Sequence, residues 1–235
     1  MTYKKRYDGR GFKETRETKA TANILKRADG SGEFSFGNSK AIVSVYGPKR
    51  VYPAFLEDAD KALLRCYYDM ISFSVKERKR PGPSRRSSEI SLVSAGALKP
   101  ALLLNEFPHT VIDVFIMITQ ADASTRVAGI NAATIALANA GIPMTDLPAA
   151  VSIGKMGDTL VVDVNKEEED YEEDGKHAAT DIAICVLPRT KKISLLQLDG
   201  KITPEELKKV INMAFRAAPE INKKQIEALK NVEEL

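Results

Sequence analysis

The sequence predicts an α+β layer fold, with mixed sheets packed against helices in a single domain spanning residues 1–235. Three observations predict it. The patterns run strands, helix, strand, helix, strands, helix, not as a regular βαβ repeat. Apolar residues make up 43% and charged residues 29% of the 235, which supplies a sizeable core and excludes global disorder. No Gly/Ser-rich or Pro-rich linker divides the chain.

Residues 1–19 read as an N-terminal extension. Residues 20–27 and 33–47 alternate and are rich in Val, Ile and Phe, with turn signals at Ala28–Gly32 and Gly37–Ser39. They predict an antiparallel meander of two or three strands. Residues 63–75 (LLRCYYDMISFSV) have strand composition again. Residues 76–86 (KERKRPGPSRR) carry two prolines and a glycine and predict a loop. Ser84 or Ser87 can cap the helix that follows, predicted over 85–105 from Ile90, Val93, Ala97, Leu98, Ala101 and Leu104.

Residues 110–119 (TVIDVFIMIT) predict a buried strand. The run RVAGINAATIALANAG from Arg126 is small and apolar on nearly every face, so it predicts a buried helix against a sheet. Residues 149–164 predict a hairpin turning at Gly157-Asp158, and 181–187 and 193–198 predict further strands. Between them, 167–177 is an acidic insertion expected to form a solvated loop. Thr203-Pro204-Glu205-Glu206 opens a last helix to about Lys230, with Pro219 as a kink or break. The strand clusters at 20–75 and 149–198, each preceding a helix, suggest a weak two-half symmetry.

Several classes are excluded. No apolar run is long enough to cross a bilayer, so no membrane role is expected. The N-terminus has positive charge without an apolar stretch behind it, unlike a secretory signal. Cys66 and Cys185 are too few for a disulfide framework and predict buried thiols in a reducing, cytoplasmic setting. The Walker and dinucleotide glycine motifs are missing, and two histidines far apart support neither a zinc site nor a Ser-His-Asp arrangement.

The net charge of +3 hides an asymmetry. Residues 1–99 hold 21 Lys+Arg against 11 Asp+Glu, and residues 100–235 hold 14 against 21. A basic half beside an acidic half points to a polyanion contact, although solvated faces give the same sums.

Three constellations carry chemistry. In Asp122-Ala-Ser-Thr-Arg126 a buried strand runs through a short loop into a helix. The helix N-terminus, the hydroxyls of Ser124 and Thr125 and the Arg126 guanidinium suit a phosphate or sulfate. Locally, an ordinary capped helix fits the same residues. Residues 76–86 hold six positive charges against one Glu, with Arg65, Tyr67 and Tyr68 upstream. Arginines beside aromatics suit single-stranded nucleic acid, and an exposed soluble loop is the equal alternative. Third, residues 167–174 hold seven acids in eight positions. Asp181 stands apart at the head of an apolar strand, where a carboxylate wants a cation, a proton or an arginine. With Asp170 or a neighbour it can hold Mg²⁺, and a solvent-facing strand edge is the plain alternative.

These pieces stand in a familiar order. Arg6-Tyr-Asp-Gly-Arg10, LKRADGSGEFSFG (25–37), VYGP (45–48), the stretch 65–91, FPHTVIDVFI (107–116) and QADASTRVAGINAA (120–133) lead the match. AGIPMTDL (140–147), DVNKEEED (163–170), DIAICVLP (181–188) and LLQLDG (195–200) continue it. Over nearly its whole length the chain resembles the ribonuclease PH family, most closely its archaeal exosome branch. The resemblance implies a ribonuclease PH fold and a phosphorolytic 3′→5′ exoribonuclease. Inorganic phosphate would be the co-substrate, nucleoside 5′-diphosphates the products and Mg²⁺ the cofactor.

By the same resemblance Ser124, Thr125 and Arg126 match the phosphate-binding loop. Arg85, Arg86 and Arg65, with Tyr67 beside it, match the RNA contacts, and Asp181 and Asp170 match the catalytic and metal-binding carboxylates. It further implies a hetero-hexameric ring with a related inactive subunit, RNA-binding cap subunits and single-stranded RNA in a central channel. Two departures stand out: Arg65-Cys66-Tyr67-Tyr68 replaces R-C-R-Y, and the segment between Asp170 and Asp181 is longer than the family's. A non-catalytic ring subunit, a homo-oligomeric tRNA-trimming phosphorylase and a plain RNA-binding module are the competing readings.

Overall fold

The computed structural model describes residues 3–173 and 176–232. Strands β1 (Thr18–Ala22), β2 (Gly30–Phe36) and β3 (Ser39–Arg50) form the expected antiparallel meander. β4 (Leu63–Met70) and β5 (Thr110–Gln120) complete a five-stranded sheet of order β1-β2-β3-β5-β4. β5 is antiparallel to β3 and parallel to β4. A parallel pair needs a long crossover, and helix α1 (Arg85–Leu98) lies within it. The second sheet is antiparallel, of order β11-β10-β6-β7, from β6 (Ala149–Met156), β7 (Thr159–Val162), β10 (Ala179–Leu187) and β11 (Lys192–Asp199).

Helix α2 (Thr125–Asn139) explains its own composition. It packs on β2 and β3 of the first sheet and on β6 and β10 of the second. A helix between two sheets has no solvent face, so the usual polar stripe is absent. Small residues let the layers close. A Cβ on Gly30 would lie 2.4 Å from the Ala136 carbonyl oxygen, and one on Gly129 would lie 2.7 Å from Ile116. One core therefore runs through both sheets, from Phe34 and Ile116 through Ile130 and Ile135 to Ile153 and Ile184.

Besides the first strand, which spans Thr18–Ala22 and not 20–27 because Asn23 turns left-handed at φ 57°, the structure departs from the sequence reading in four segments, each for a physical reason. β4 stops at Met70, and 71–75 turn back instead of extending, with Ser74 N–H donating to the Ile71 carbonyl at 3.0 Å. α1 ends at Leu98 because Pro100 cannot continue it, and single 3₁₀ turns follow at Lys99–Ala101 and Leu104–Glu106. Its cap is Ser84, with Ser87 completing a reciprocal capping box. The last helix, α4 (Pro204–Lys230), continues through Pro219, which sits on an exposed face where water can hydrate the freed carbonyl.

The acidic insertion is the fourth. Its start is helix α3 (Lys166–Glu169), capped by Asn165, and Glu168 is fully buried. Two-residue strands β8 (Glu172–Glu173) and β9 (Lys176–His177) pair beyond it, and Asp174 of the acidic run lies outside the described residues. The N-terminal extension supplies the partner that buries Glu168. It packs on the second sheet, where Val162 N–H donates to the Phe12 carbonyl at 2.8 Å and Arg6 Nη1 donates to the Val162 carbonyl at 2.7 Å.

Candidate active site

The end of β5, the N-terminus of α2 and the head of β10 meet in an open cleft of about 1630 Å³. β5 delivers the chain through Ala121–Ser124 into α2. Ala123 and Ser124 both hold the left-handed conformation, each at φ 54°. That pair turns the chain sharply and starts the helix at Thr125. Serine and threonine boxes cap α1 and α4, whereas Ser124 makes no side-chain cap on α2. The first-turn N–H groups of α2 are thus left for another acceptor.

Both hydroxyls of this loop have protein partners. Ser124 Oγ lies 2.6 Å from Ser152 Oγ and donates to the Val164 carbonyl at 2.8 Å and to Asp163 Oδ1 at 3.3 Å. Thr125 Oγ1 accepts from the Tyr68 hydroxyl at 3.0 Å and keeps its own proton to donate. Arg126 Nε is buried and has no hydrogen-bond partner among the described residues. A buried guanidinium N–H without an acceptor is costly, and an anion in the cleft would supply the acceptor.

Asp181 faces this basic group from β10, in register with Gly154 of β6 and Asp199 of β11. Burial pushes its carboxyl up to about 6, and Glu169 adds to the shift. Arg126 opposes it, Asp199 raises it further, and Arg86 again opposes. These influences put Asp181, Arg126, Arg86 and Glu169 in one electrostatic unit.

Of the residues singled out in the sequence, Ser124, Thr125, Arg126, Arg86, Asp170 and Asp181 line the cleft together. Arg65, Tyr67 and Arg85 do not line it. Arg65 sits near the far end of β4 and pairs with Asp113 at 2.7 and 2.9 Å. Tyr67 stacks on Phe115, centroids 4.8 Å apart at 13°. Arg85 is the exposed first residue of α1, one position before Arg86.

Asp170 is on the rim. Its Oδ1 is taken by Lys166 Nζ at 2.7 Å and its side chain is 61% exposed. Glu169, a neighbour of Asp170 that the sequence left open as the partner, is the acid of this run that acts on Asp181. Phe73 was hidden too: read as part of a strand, it stands 80% exposed at the cleft because β4 ends early. The loop carrying it is tied down by Lys79, which pairs with Asp69 and donates to the Met70 carbonyl at 3.1 Å.

The carboxylates bear on a divalent cation. No group of three or more His, Cys, Asp or Glu able to hold a metal occurs among the described residues. The like-charge pressure of Glu169 and Asp199 on Asp181 nonetheless suits a cation with two carboxylate ligands that keeps most of its waters, as Mg²⁺ does.

Comparison with known proteins agrees with this architecture. Residues 14–143 match the model of the 3′ exoribonuclease family, domain 1, and residues 146–217 match that of domain 2. The chain belongs to this family, and its fold is the ribonuclease PH-like fold. It is 50% identical over 226 residues to the exosome complex component Rrp41 of Thermococcus kodakarensis, covering 96% of this chain and 88% of that protein. The Rrp41 of Thermoplasma acidophilum is 46% identical, with 96% and 89% covered. Among solved structures, rice Rrp46 superposes with a TM-score of 0.84 at 24% identity, covering 96% of this chain and 100% of that one. The Archaeoglobus fulgidus exosome with RNA bound to the active site gives 0.77 at 20% identity, covering 94% and 92%.

Proposed function

We propose that this chain is the phosphorolytic 3′→5′ exoribonuclease subunit of an archaeal exosome core, working in the cytoplasm. The observation that carries the reading is the cleft itself. An unpartnered Arg126 Nε and an uncapped helix N-terminus meet a carboxyl raised to about 6.

Inorganic phosphate binds to the first-turn N–H groups at Ser124 and Thr125, the Thr125 hydroxyl and Arg126. A phosphate oxygen forms a bond to the terminal phosphorus of RNA while the bond from phosphorus to the preceding 3′-oxygen breaks. The proton goes from Asp181 to that leaving 3′-oxygen. The products are a nucleoside 5′-diphosphate and RNA shorter by one residue.

Two anions are brought together, so concentrated positive charge supplies most of the rate, and positioning supplies much of the rest. Arg86 neutralises the phosphodiester and Arg85 holds the strand beside it. Arg65 and Tyr67 meet RNA further along, outside the cleft. Asp181 donates the proton in its protonated form; in its ionised form it would instead hold Mg²⁺ with Glu169, and the ion would supply further positive charge to phosphoryl oxygens. Lys166 pairs with both Asp170, expected as the second ligand, and Glu169, at 2.7 and 3.2 Å; Glu169 is favoured because it is the less exposed of the two and the one that acts on Asp181. The partners are single-stranded RNA, an inactive ribonuclease PH-like subunit completing a hexameric ring, and RNA-binding caps. The whole chain acts as one catalytic unit.

A 3′-end degradation assay with and without inorganic phosphate, products resolved by chromatography, tests this. Nucleoside diphosphates that form only with phosphate are expected. Nucleoside monophosphates in both conditions would mean hydrolysis and would overturn the mechanism.

A further inference from the structure

The loop that starts α2 has an unusual backbone for its residues. Ala123 and Ser124 are consecutive, non-glycine and both left-handed. Each such residue costs on the order of 1 kcal/mol and persists only where its surroundings over-determine it. The surroundings here come from elsewhere in the chain. Arg16, from the N-terminal extension, is buried, and its Nη1 donates to the Asp122 carbonyl at 2.6 Å. Its Nε and Nη2 grip Asp163 at 2.9 and 2.6 Å, and Nη2 reaches the Val164 carbonyl at 3.1 Å. Asp163, itself left-handed at φ 57° and 1% exposed, accepts from Ser124 Oγ. Ser152 and the Val164 carbonyl complete the grip on that hydroxyl.

We infer that Arg16, Asp163 and Ser152 are positioning residues for the phosphate loop: they hold Ala123 and Ser124 left-handed so that the first turn of α2 faces the cleft. Arg16 and Ser152 border the cleft, but their polar atoms are engaged by Asp163, the Asp122 and Val164 carbonyls and Ser124. The N-terminal extension thereby becomes part of the active site's framework. The inference rests on the phosphorolytic reading for its substrate.

The consequence is selective. Loosening the loop should weaken phosphate and leave RNA alone, because Arg85, Arg65 and Tyr67 stand on other elements. Glycine occupies left-handed conformations without the steric cost. Ala123→Gly should therefore partly restore what is lost when the grip is broken.

The test measures inorganic phosphate binding by calorimetry, and KM for phosphate and for RNA separately, in the full chain within the assembly that degrades RNA. For Arg16→Lys we expect phosphate KM and dissociation constant about tenfold higher, with RNA KM within about twofold, the low end of the loss when a side chain that orients a metal ligand is removed. Arg16→Lys with Ala123→Gly should recover a good part of the phosphate affinity. Ser152→Ala, which deletes a single hydroxyl, should move phosphate binding in the same direction.

Unchanged phosphate binding in Ser152→Ala and Arg16→Lys would overturn the inference. So would an equal loss of phosphate and RNA binding that Ala123→Gly does not repair, which would mark a purely structural role. If the unmodified assembly binds phosphate but forms no phosphate-dependent diphosphate, the phosphorolytic reading fails while the positioning result stands on binding alone.

Discussion

Arg6 and Glu168 form a fully buried, two-pronged ion pair across 162 residues of sequence, Nε to Oε1 and Nη2 to Oε2 both at 2.8 Å. Tyr3 donates to the same carboxylate at 3.0 Å, and Arg6 also donates to the carbonyls of Val162 and Asp163. The pair ties the start of the chain to α3, one residue from Glu169.

Removing one member leaves an uncompensated buried charge. Arg6→Ala is expected to destabilise the protein by about 3–5 kcal/mol. A two-state denaturant titration measures it. A loss below about 1 kcal/mol would show that the arm is not fastened there in solution.

Asp181→Asn keeps the shape of the side chain and removes the proposed proton donor. The expected result is a fall in kcat of about 10²–10⁴-fold, the range for a positioned acid, with RNA affinity unchanged or slightly higher. Single-turnover degradation beside equilibrium RNA binding separates the two effects. Degradation at the unmodified rate would remove Asp181 from the mechanism.

The raised carboxyl of Asp181 also has a signature in stability. The unfolded chain loses this proton near the ordinary value of 3.8, the native protein only near 6. Between those values the native state binds more protons than the unfolded one, so this group makes stability fall as pH rises. Above about 6 its whole penalty is present. Asp181→Asn should therefore be relatively more stable than the unmodified chain at pH 7 than at pH 4, with chelator present. Melting curves that shift equally at both pH values would contradict the burial of this group.

Much of the fold was legible because each signal was local. The apolar alternation of β2 and β3, the wholly apolar α2 and the Thr203-Pro204 start of α4 need only neighbouring residues to be read. The cleft was partly legible for the same reason, since Ser124, Thr125 and Arg126 form one loop. What stayed hidden depends on distant partners. Glu168 looked like one more solvated acid because Arg6, which buries it, is 162 residues away. Glu169 could not be told from Asp170 without knowing which of them faces β10. The hydroxyl of Ser124 read as a free donor because Ser152, on the second sheet, and Asp163, just past β7, are 28 and 39 residues away in sequence.

Arg65 and Tyr67 supply the last prediction, because they lie off the cleft yet carry the features of an RNA contact. Tyr67 is 43% exposed over Phe115, and a ring held flat in this way offers its other face to a base. Tyr67→Ala should weaken single-stranded RNA by about 1–3 kcal/mol, the worth of one stacked base, with no change in salt dependence. Tyr67→Phe should be close to neutral, since stacking needs only the ring. Arg65→Ala acts differently. Lys49 remains beside Asp113 at 2.9 Å, so the carboxylate is not stranded and the sheet should stay intact. The expected loss is one phosphate contact, seen as a shallower slope of log affinity against log salt by about 0.7 for single strands. Neither change should alter KM for phosphate. Equal RNA affinity and equal salt slope in both variants would mean that RNA reaches the cleft by a path that avoids this face of the sheet.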